Sequence, residues 1–222
     1  LLDADIYGPN IPRMLGIDHL PDTFEGEKVK PAEIYGLKVL SIGFMVQNGQ
    51  PLIWRGPLLH SAIQQFLSDF NWGHLDYLVV DLPPGTGDVQ LSLAQSIPIS
   101  GGVVVTTPQQ VAVDDASRAV GMFNKLEIPM FGVVENMSYL DMPDGTKLYI
   151  FGENGGQHLA SQVGIPFLGR IPIDPAIGVG GDTGSPVVMQ EPLSAAGLAL
   201  VSITRNIAAE ASKEAYRKNN AG

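Results

Sequence analysis

The residues of this chain best suited to chemistry are carboxylates that stand where strands should end. Residues 76–88 read Asp-Tyr-Leu-Val-Val-Asp-Leu-Pro-Pro-Gly-Thr-Gly-Asp, an unbroken apolar run into Asp81 followed by two prolines and by Gly85 and Gly87. A carboxylate at the carboxyl end of a strand can hold a hydrated Mg²⁺, and a glycine-bracketed loop offers unobstructed backbone N–H groups to a phosphate. Together these are what a nucleotide hydrolase needs; a strand followed by a tight turn fits the same residues. Asp3 and Asp5 form a second group, on one side of a period-2 element just before Tyr7-Gly8-Pro9-Asn10. They suit water activation or metal coordination, and equally the capping of a following helix. Asn136 follows a third apolar run, and Pro172-Ile173-Asp174-Pro175 a fourth.

Elements must hold these side chains in place. Unbroken apolar runs ended by breakers suit strands buried on both faces of a parallel sheet, which is the expectation for residues 77–80, 103–107, 131–135 and 167–171. A further strand is expected at 37–42, a loop or small hairpin at 22–32 and a connection at 43–51. Apolar spacings of three and four mark helices at Leu59, Ile63, Phe66 and Leu67, and at Val113, Ala116, Val120 and Phe123. Others are expected at 89–97, at 157–163 before Gly164, and along a C-terminal seam of Ala196, Leu200, Ile203, Ile207 and Ala211. Residues 180–186 read as a loop and 219–222 as a polar tail. Arg55, in Trp54-Arg55-Gly56-Pro57, reads as a solvated arginine at a helix start, with a phosphate or partner contact as the alternative. Strands alternating with helices imply right-handed βαβ units and an α/β fold of three layers, with one mostly parallel sheet covered on both faces. Every strand then ends in a polar or turn-forming cluster: Asp3/Asp5, Asp81, Thr106/Thr107, Asn136, Pro172/Asp174. Such ends aligned along one sheet edge describe a ligand crevice.

Composition narrows the classes. With 222 residues, 45% of them hydrophobic and 16% charged, the chain can build one large core. A net charge of −10 argues against a nucleic-acid partner, since no basic surplus exists to neutralise phosphates. No apolar run approaches the ~20 residues of a membrane span. Cysteine is absent, which suits a reducing, cytoplasmic setting and removes thiol nucleophiles and thiolate metal sites. The four histidines share no helix-face spacing and read as structural or surface residues.

At Asp81-Leu-Pro-Pro-Gly-Thr-Gly-Asp88 the chain closely resembles the Mrp/ApbC iron–sulfur cluster carrier ATPases, relatives of MinD and of nitrogenase iron protein among the P-loop NTPases. Further markers are Leu2-Asp-Ala-Asp-Ile-Tyr-Gly-Pro9, Trp54-Arg-Gly-Pro57, Thr106-Thr-Pro-Gln109, Val134-Glu-Asn-Met-Ser138, Ile171-Pro-Ile-Asp-Pro175 and Gly181-Asp-Thr-Gly-Ser-Pro-Val187, in order along the chain. The resemblance implies binding and hydrolysis of ATP with Mg²⁺, a homodimer, and delivery of iron–sulfur clusters to apoprotein clients. By that resemblance Asp3 and Asp5 match the switch I acids, Asp5 positioning or activating the attacking water. Asp81 matches the Walker B acid that holds Mg²⁺ through its water shell. Gly85 and Gly87 fall in switch II, whose amides sense the γ-phosphate. Asn136 reads the adenine edge, and Pro172 and Asp174 belong to the loop that closes over the base.

Two departures from the family pattern shape the expectation. No Gly-x-x-x-x-Gly-Lys-Ser/Thr phosphate loop occurs, and the first residue is Leu1 rather than Met. The 222 residues are therefore expected to be one MinD-like ATPase domain, 1–222, lacking its first βα unit and inactive toward ATP as given. Where many members carry a Cys-x-x-Cys that shares a [4Fe–4S] cluster between subunits, Met142 and Gly145 stand instead. Neither a thioether nor a glycine replaces a thiolate in such a cluster. Asp141 and Asp144 beside them read as part of a solvated turn, with ligation of a hard cation as the alternative. Two alternatives complete the reading: a positioning ATPase of the MinD/ParA type, and a non-catalytic scaffold that keeps the fold.

Overall fold

The computed structural model describes residues 1–20, 24–25, 28–45 and 56–220. Trp54 and Arg55, and the connection beyond Met45, lie outside the described residues. The described chain gathers into two compact units, Leu1–Ile97 with Val179–Pro186, and Pro98–Gly178 with Val187–Gly222.

The first unit contains β1 (Leu2–Asp3), α1 (Ile11–Leu15), β2 (Phe24–Glu25), β3 (Lys28–Val29), β4 (Ala32–Ile34), β5 (Leu37–Ser41), α2 (Gly56–Ser68), β6 (Val80–Asp81) and α3 (Asp88–Ser96). Its main sheet runs β4-β5-β1-β6, with β1 parallel to both β5 and β6. β4 joins antiparallel through the two-residue turn Tyr35-Gly36, where both φ angles are positive, as a tight hairpin requires. Leu2, Val39 and Leu40 from the strands, Ile42 from the following 3₁₀ turn, and Ile63 and Leu93 from α2 and α3 are wholly buried. This core fixes where the strand ends emerge.

The second unit contains β7 (Gly102–Thr106), α4 (Gln110–Lys125), β8 (Met130–Glu135), β9 (Leu140–Asp141), β10 (Lys147–Leu148), α5 (Gly155–Val163) and β11 (Phe167–Arg170). The chain passes between the units within α6 (Pro175–Thr183), and α7 (Val187–Gln190) and α8 (Ala195–Asn220) complete the second. Its sheet, β11-β8-β7, is wholly parallel. Successive residues of β8 serve opposite faces, as the two-residue period demands. Val133 packs with Val104, Val113, Val120 and Leu159, whereas Val134 packs with Leu168 and Ile203 of α8. Helices thus cover both sides of this sheet, and the architecture is the α/β one expected.

Four local expectations change. Among the described residues the parallel strands form two ladders, one in each unit, where a single sheet was expected, and β2-β3 and β9-β10 are separate hairpins. Residues 77–80 are not a strand buried on both faces. Only Val80 and Asp81 pair, β6 is an edge of its sheet, and Tyr77 and Val79 are 60% and 61% exposed because no strand in that ladder covers them. The loop expected at 180–186 begins only after Thr183, since Asp174 caps a helix that runs through the glycines. Asn219 and Asn220 continue α8 instead of starting a tail.

Candidate functional site

Parallel pairing in the first unit sets Asp3 opposite Ser41 on one side and Asp81 on the other. Register partners on parallel strands point the same way, so Ser41, Asp3 and Asp81 form a polar row at the carboxyl ends of three strands. Asp3 is fully buried and both its oxygens are engaged. Oδ2 accepts from Ser41 Oγ at 2.8 Å and from the Ile11 N–H at 3.3 Å; Oδ1 accepts from the Asp5 N–H at 3.2 Å. Ser41 Oγ in turn accepts from the Gly43 N–H at 3.0 Å. Asp3 therefore ties β1 to β5 and to the start of α1. Asp5, half-buried, spends one oxygen on the N–H groups of Tyr7 and Gly8, at 2.9 and 3.3 Å, which folds the Tyr-Gly-Pro segment into an Asx turn.

The electrostatics of this row are one-sided. Burial pushes the Asp3 carboxyl above the ordinary carboxylate range, and the charge of Asp5 adds to it. The bonds from Ser41, Asp5 and Ile11 pull the other way. Asp81 is also pushed up, first by desolvation and then by the charges of Asp3 and Asp5. No lysine or arginine among the described residues acts on either group. Gly85 and Gly87 follow Asp81 in an exposed loop, Gly85 at φ +97°, before the chain enters α3. Asp81, Gly85 and Gly87 thus lie in one stretch beside Asp3 and Asp5, in the same unit. Among the described residues no three His, Cys, Asp or Glu side chains form a metal cage. One exposed carboxylate beside two others still suits a hydrated dication held through water, because Mg²⁺ keeps several waters and takes only one or two protein oxygens.

The second unit has its own row: Thr106, Glu135 and Arg170 are register partners on β7, β8 and β11. Glu135 is 1% exposed and fully engaged. It pairs with Arg170 Nε at 3.3 Å and accepts from Ser138 Oγ at 2.9 Å and from the Gly156 N–H at 2.7 Å. A Cβ on Gly156 would stand 3.0 Å from the Glu135 side chain, so glycine allows this approach. Arg170 also donates to Asn154 and Gln157 and lies over the Phe167 ring. Asn136 is half-buried, its N–H bonded to Thr106 O and its Oδ1 taken by the Met137 N–H at 2.9 Å. That bond leaves the Nδ2 donor unspent among the described residues. The 171–174 stretch runs alongside: Ser138 N–H donates to Ile171 O, and Ile173 N–H to Tyr139 O. Asn136, Pro172 and Asp174 therefore lie on adjoining stretches within this unit. Asp174 Oδ1 accepts from the Ala176 N–H at 2.9 Å, which caps α6.

Met142 and Gly145 fall in the exposed turn of the β9–β10 hairpin, where the Gly145 N–H donates to Met142 O. Asp141 pairs with Lys147 at 3.3 Å, and Asp144 accepts from the Thr146 N–H and hydroxyl, bonds that pull its carboxyl below the usual range. The turn's polar groups are occupied locally, and no metal donor set is built there.

Four important residues escape sequence reading. Ser41 is one serine at a strand end, and only the register with Asp3 reveals its use. Gln90 is a polar residue in an otherwise amphipathic helix start. Glu135 and Arg170 lie 35 positions apart (170 − 135) in separate strands. The one available signal was Glu135's place inside an apolar run, where an acid is uncommon unless paired.

A family model described as ParA, the NUBPL iron-transfer P-loop NTPase, matches residues 1–208. Among curated relatives, the iron–sulfur cluster carrier protein of Synechocystis is 46% identical, covering 97% of this chain and 63% of its own length. That of Deinococcus radiodurans is 50% identical, with 96% and 61% covered. The chain thus spans less than two thirds of these relatives. Among solved structures, a nucleotide-binding protein of Archaeoglobus fulgidus in complex with ADP superposes with a TM-score of 0.72 at 34% identity, over 87% of this chain and 75% of the other. The septum site-determining protein MinD of Pyrococcus horikoshii, complexed with Mg-ADP, shares the fold with a TM-score of 0.63 at 18% identity, over 91% and 79%.

Proposed function

Because the chain belongs to the NUBPL iron-transfer P-loop NTPase family, we propose that its residues serve an ATP-binding, ATP-hydrolysing protein that carries iron–sulfur clusters to apoprotein clients. The observation that carries this reading is the row Ser41–Asp3–Asp81, an acidic strand edge with no protein cation among the described residues, opening onto a glycine loop. A charge that the fold does not neutralise calls for a cation from outside. Asp81 is the residue that would hold Mg²⁺, through water. Bound Mg²⁺ neutralises the charge that builds on a transferred phosphoryl group. Asp5 orients the attacking water with its remaining carboxylate oxygen, and Asp3 holds Asp5 in place. The amides of Gly85 and Gly87 receive the terminal phosphate. By the family resemblance Asn136 reads the adenine edge, and Pro172 and Asp174 belong to the loop over the base. The ADP described with the Archaeoglobus relative supports the nucleotide class.

The two units make up one MinD-like ATPase domain that works as a homodimer in the cytoplasm. The cluster is cargo. Met142 and Gly145 cannot hold it as a cysteine pair would.

Purification of the full-length protein under anaerobic conditions tests both halves. Mg²⁺-dependent ATP turnover and transfer of a reconstituted cluster to an apo-acceptor are expected. Absence of turnover removes the ATPase reading, and turnover without cluster uptake or transfer removes the carrier reading.

A further inference from the structure

Gln90 is a buried amide for which the nucleotide reading has no task. It stands at the third position of α3, after the N-cap Gly87, and is 5% exposed although Pro84, Gly85, Thr86 and Gly87 beside it are all exposed. Its Nε2–H donates to the carbonyl of Pro84, six residues back across the loop. A Cβ built on Gly87 would come 3.2 Å from its Oε1, and one built on Gly85 would come 3.5 Å from its Nε2. The amide therefore lies against the inner side of the loop, within reach of both glycines. Gly85, at φ +97°, holds a conformation that side-chain-bearing residues rarely adopt.

The third helical position is where a Glu or Gln side chain reaches back over the helix start in a capping box. Here the cap residue is a glycine with no side chain to reciprocate, and the reach extends past it to Pro84. The bond consequently spans the whole glycine loop instead of closing one helical turn.

We infer that Gln90 is a positioning residue that clamps the 84–87 loop in one conformation, so that the amides around Gly85 and Gly87 face a terminal phosphate already aligned. The inference deepens the proposed function and rests on it for the phosphate, though not for the clamp. Aligned donors matter because they need no reorganisation when charge develops on the phosphoryl oxygens. Gln90's amide bonds to the loop and acts on the phosphate only through it.

Gln90→Glu is the informative change. It keeps the side-chain length and puts a carboxylate at a helix start, where the helix dipole favours it. It also replaces the donor facing Pro84 O with an oxygen that repels it. Burying that carboxylate against a carbonyl oxygen should lower the thermal midpoint, so loop order and the kcat-against-KM split, not stability, are the readouts. In the 222-residue chain, backbone order parameters at Gly85, Thr86 and Gly87 are expected to fall from the rigid range near ~0.85 toward ~0.6 or lower, with the rest of α3 unchanged. In the full-length protein kcat for Mg-ATP should fall by about tenfold or more while KM stays within about twofold. Gln90→Met, isosteric and unable to bond, should loosen the loop in the same way. Unchanged order parameters in both variants would overturn the clamp, whatever the ATPase result. A loosened loop with kcat unchanged would overturn its catalytic relevance. A parent without ATPase activity would instead sink the nucleotide reading and leave the order parameters to judge the clamp.

Discussion

Each unit ends its parallel strands in a polar row, and the two rows are neutralised in different ways. In the second unit Thr106, Glu135 and Arg170 place an acid beside a base, with Ser138 and the Gly156 amide filling the remaining acceptor sites. In the first, Ser41, Asp3 and Asp81 place two acids side by side with a third, Asp5, two residues beyond Asp3. A carboxylate that the protein itself neutralises is doing structural duty, because every lone pair has an internal partner and no ligand is needed. A group of carboxylates whose proton affinity is raised first by burial and then by mutual repulsion stores a demand for an external cation. The same position in the sheet is thus a brace in one unit and a site in the other.

The comparison is broken most severely at Arg170. Replacing it with Met leaves Glu135 buried and charged without its base, which should cost about 3–5 kcal/mol in denaturant unfolding. If Arg170→Met costs under about 1 kcal/mol, comparable to a surface pair, the brace is a solvated contact and the distinction fails. The paired change with Glu135→Leu should recover much of the loss, since it removes the stranded charge too. Ser41→Ala comes next, with an expected loss of about 1.5–3 kcal/mol, because the hydroxyl donates the shortest bond to a wholly buried carboxylate. An urea midpoint equal to the parent's would mean that Asp3 does not depend on it. Asp174→Ala should cost about 1 kcal/mol through loss of the α6 cap, and Asp174→Ser should restore most of it. A nucleotide affinity that changes for both variants would show Asp174 acting on the base beyond its capping role.

The smallest effect is the most diagnostic of the acidic row. Unfolded aspartates titrate near ~3.9, whereas Asp3 and Asp81 keep their protons to higher pH in the fold. Between those limits the folded chain binds more protons than the unfolded one, so stability falls as pH rises through the window and levels off above it. Thermal midpoints measured upward from about pH 4 should show that decline, and Mg²⁺ added above the window should reverse part of it. Asp81→Asn should flatten the slope and raise the midpoint at neutral pH while abolishing Mg²⁺-dependent turnover. A steeper slope in that variant would show that repulsion within the row is not its cause.

Much of this was legible in the chain's order of residues. Unbroken apolar runs and three-four spacings located the parallel strands and the longer helices, since burial leaves a local mark, while β4, β9, β10, α6 and α7 went unread. Glycines and prolines marked the strand ends, and carboxylates at those ends pointed to cations and phosphates before any coordinates. Less local matters stayed hidden. Tyr77 and Val79 read as buried because composition cannot tell an edge strand from a central one. Helix α6 read as a loop because its glycines outweighed a cap at Asp174. Which acids are spare and which are spent depends on register. Asp3 meets Ser41 across 38 residues, and Glu135 meets the Gly156 amide across 21. The sequence alone determined that acids stand at strand ends. Only the tertiary structure decided which of them has an internal partner, because strand pairing and helix packing bring together donors that no local pattern relates.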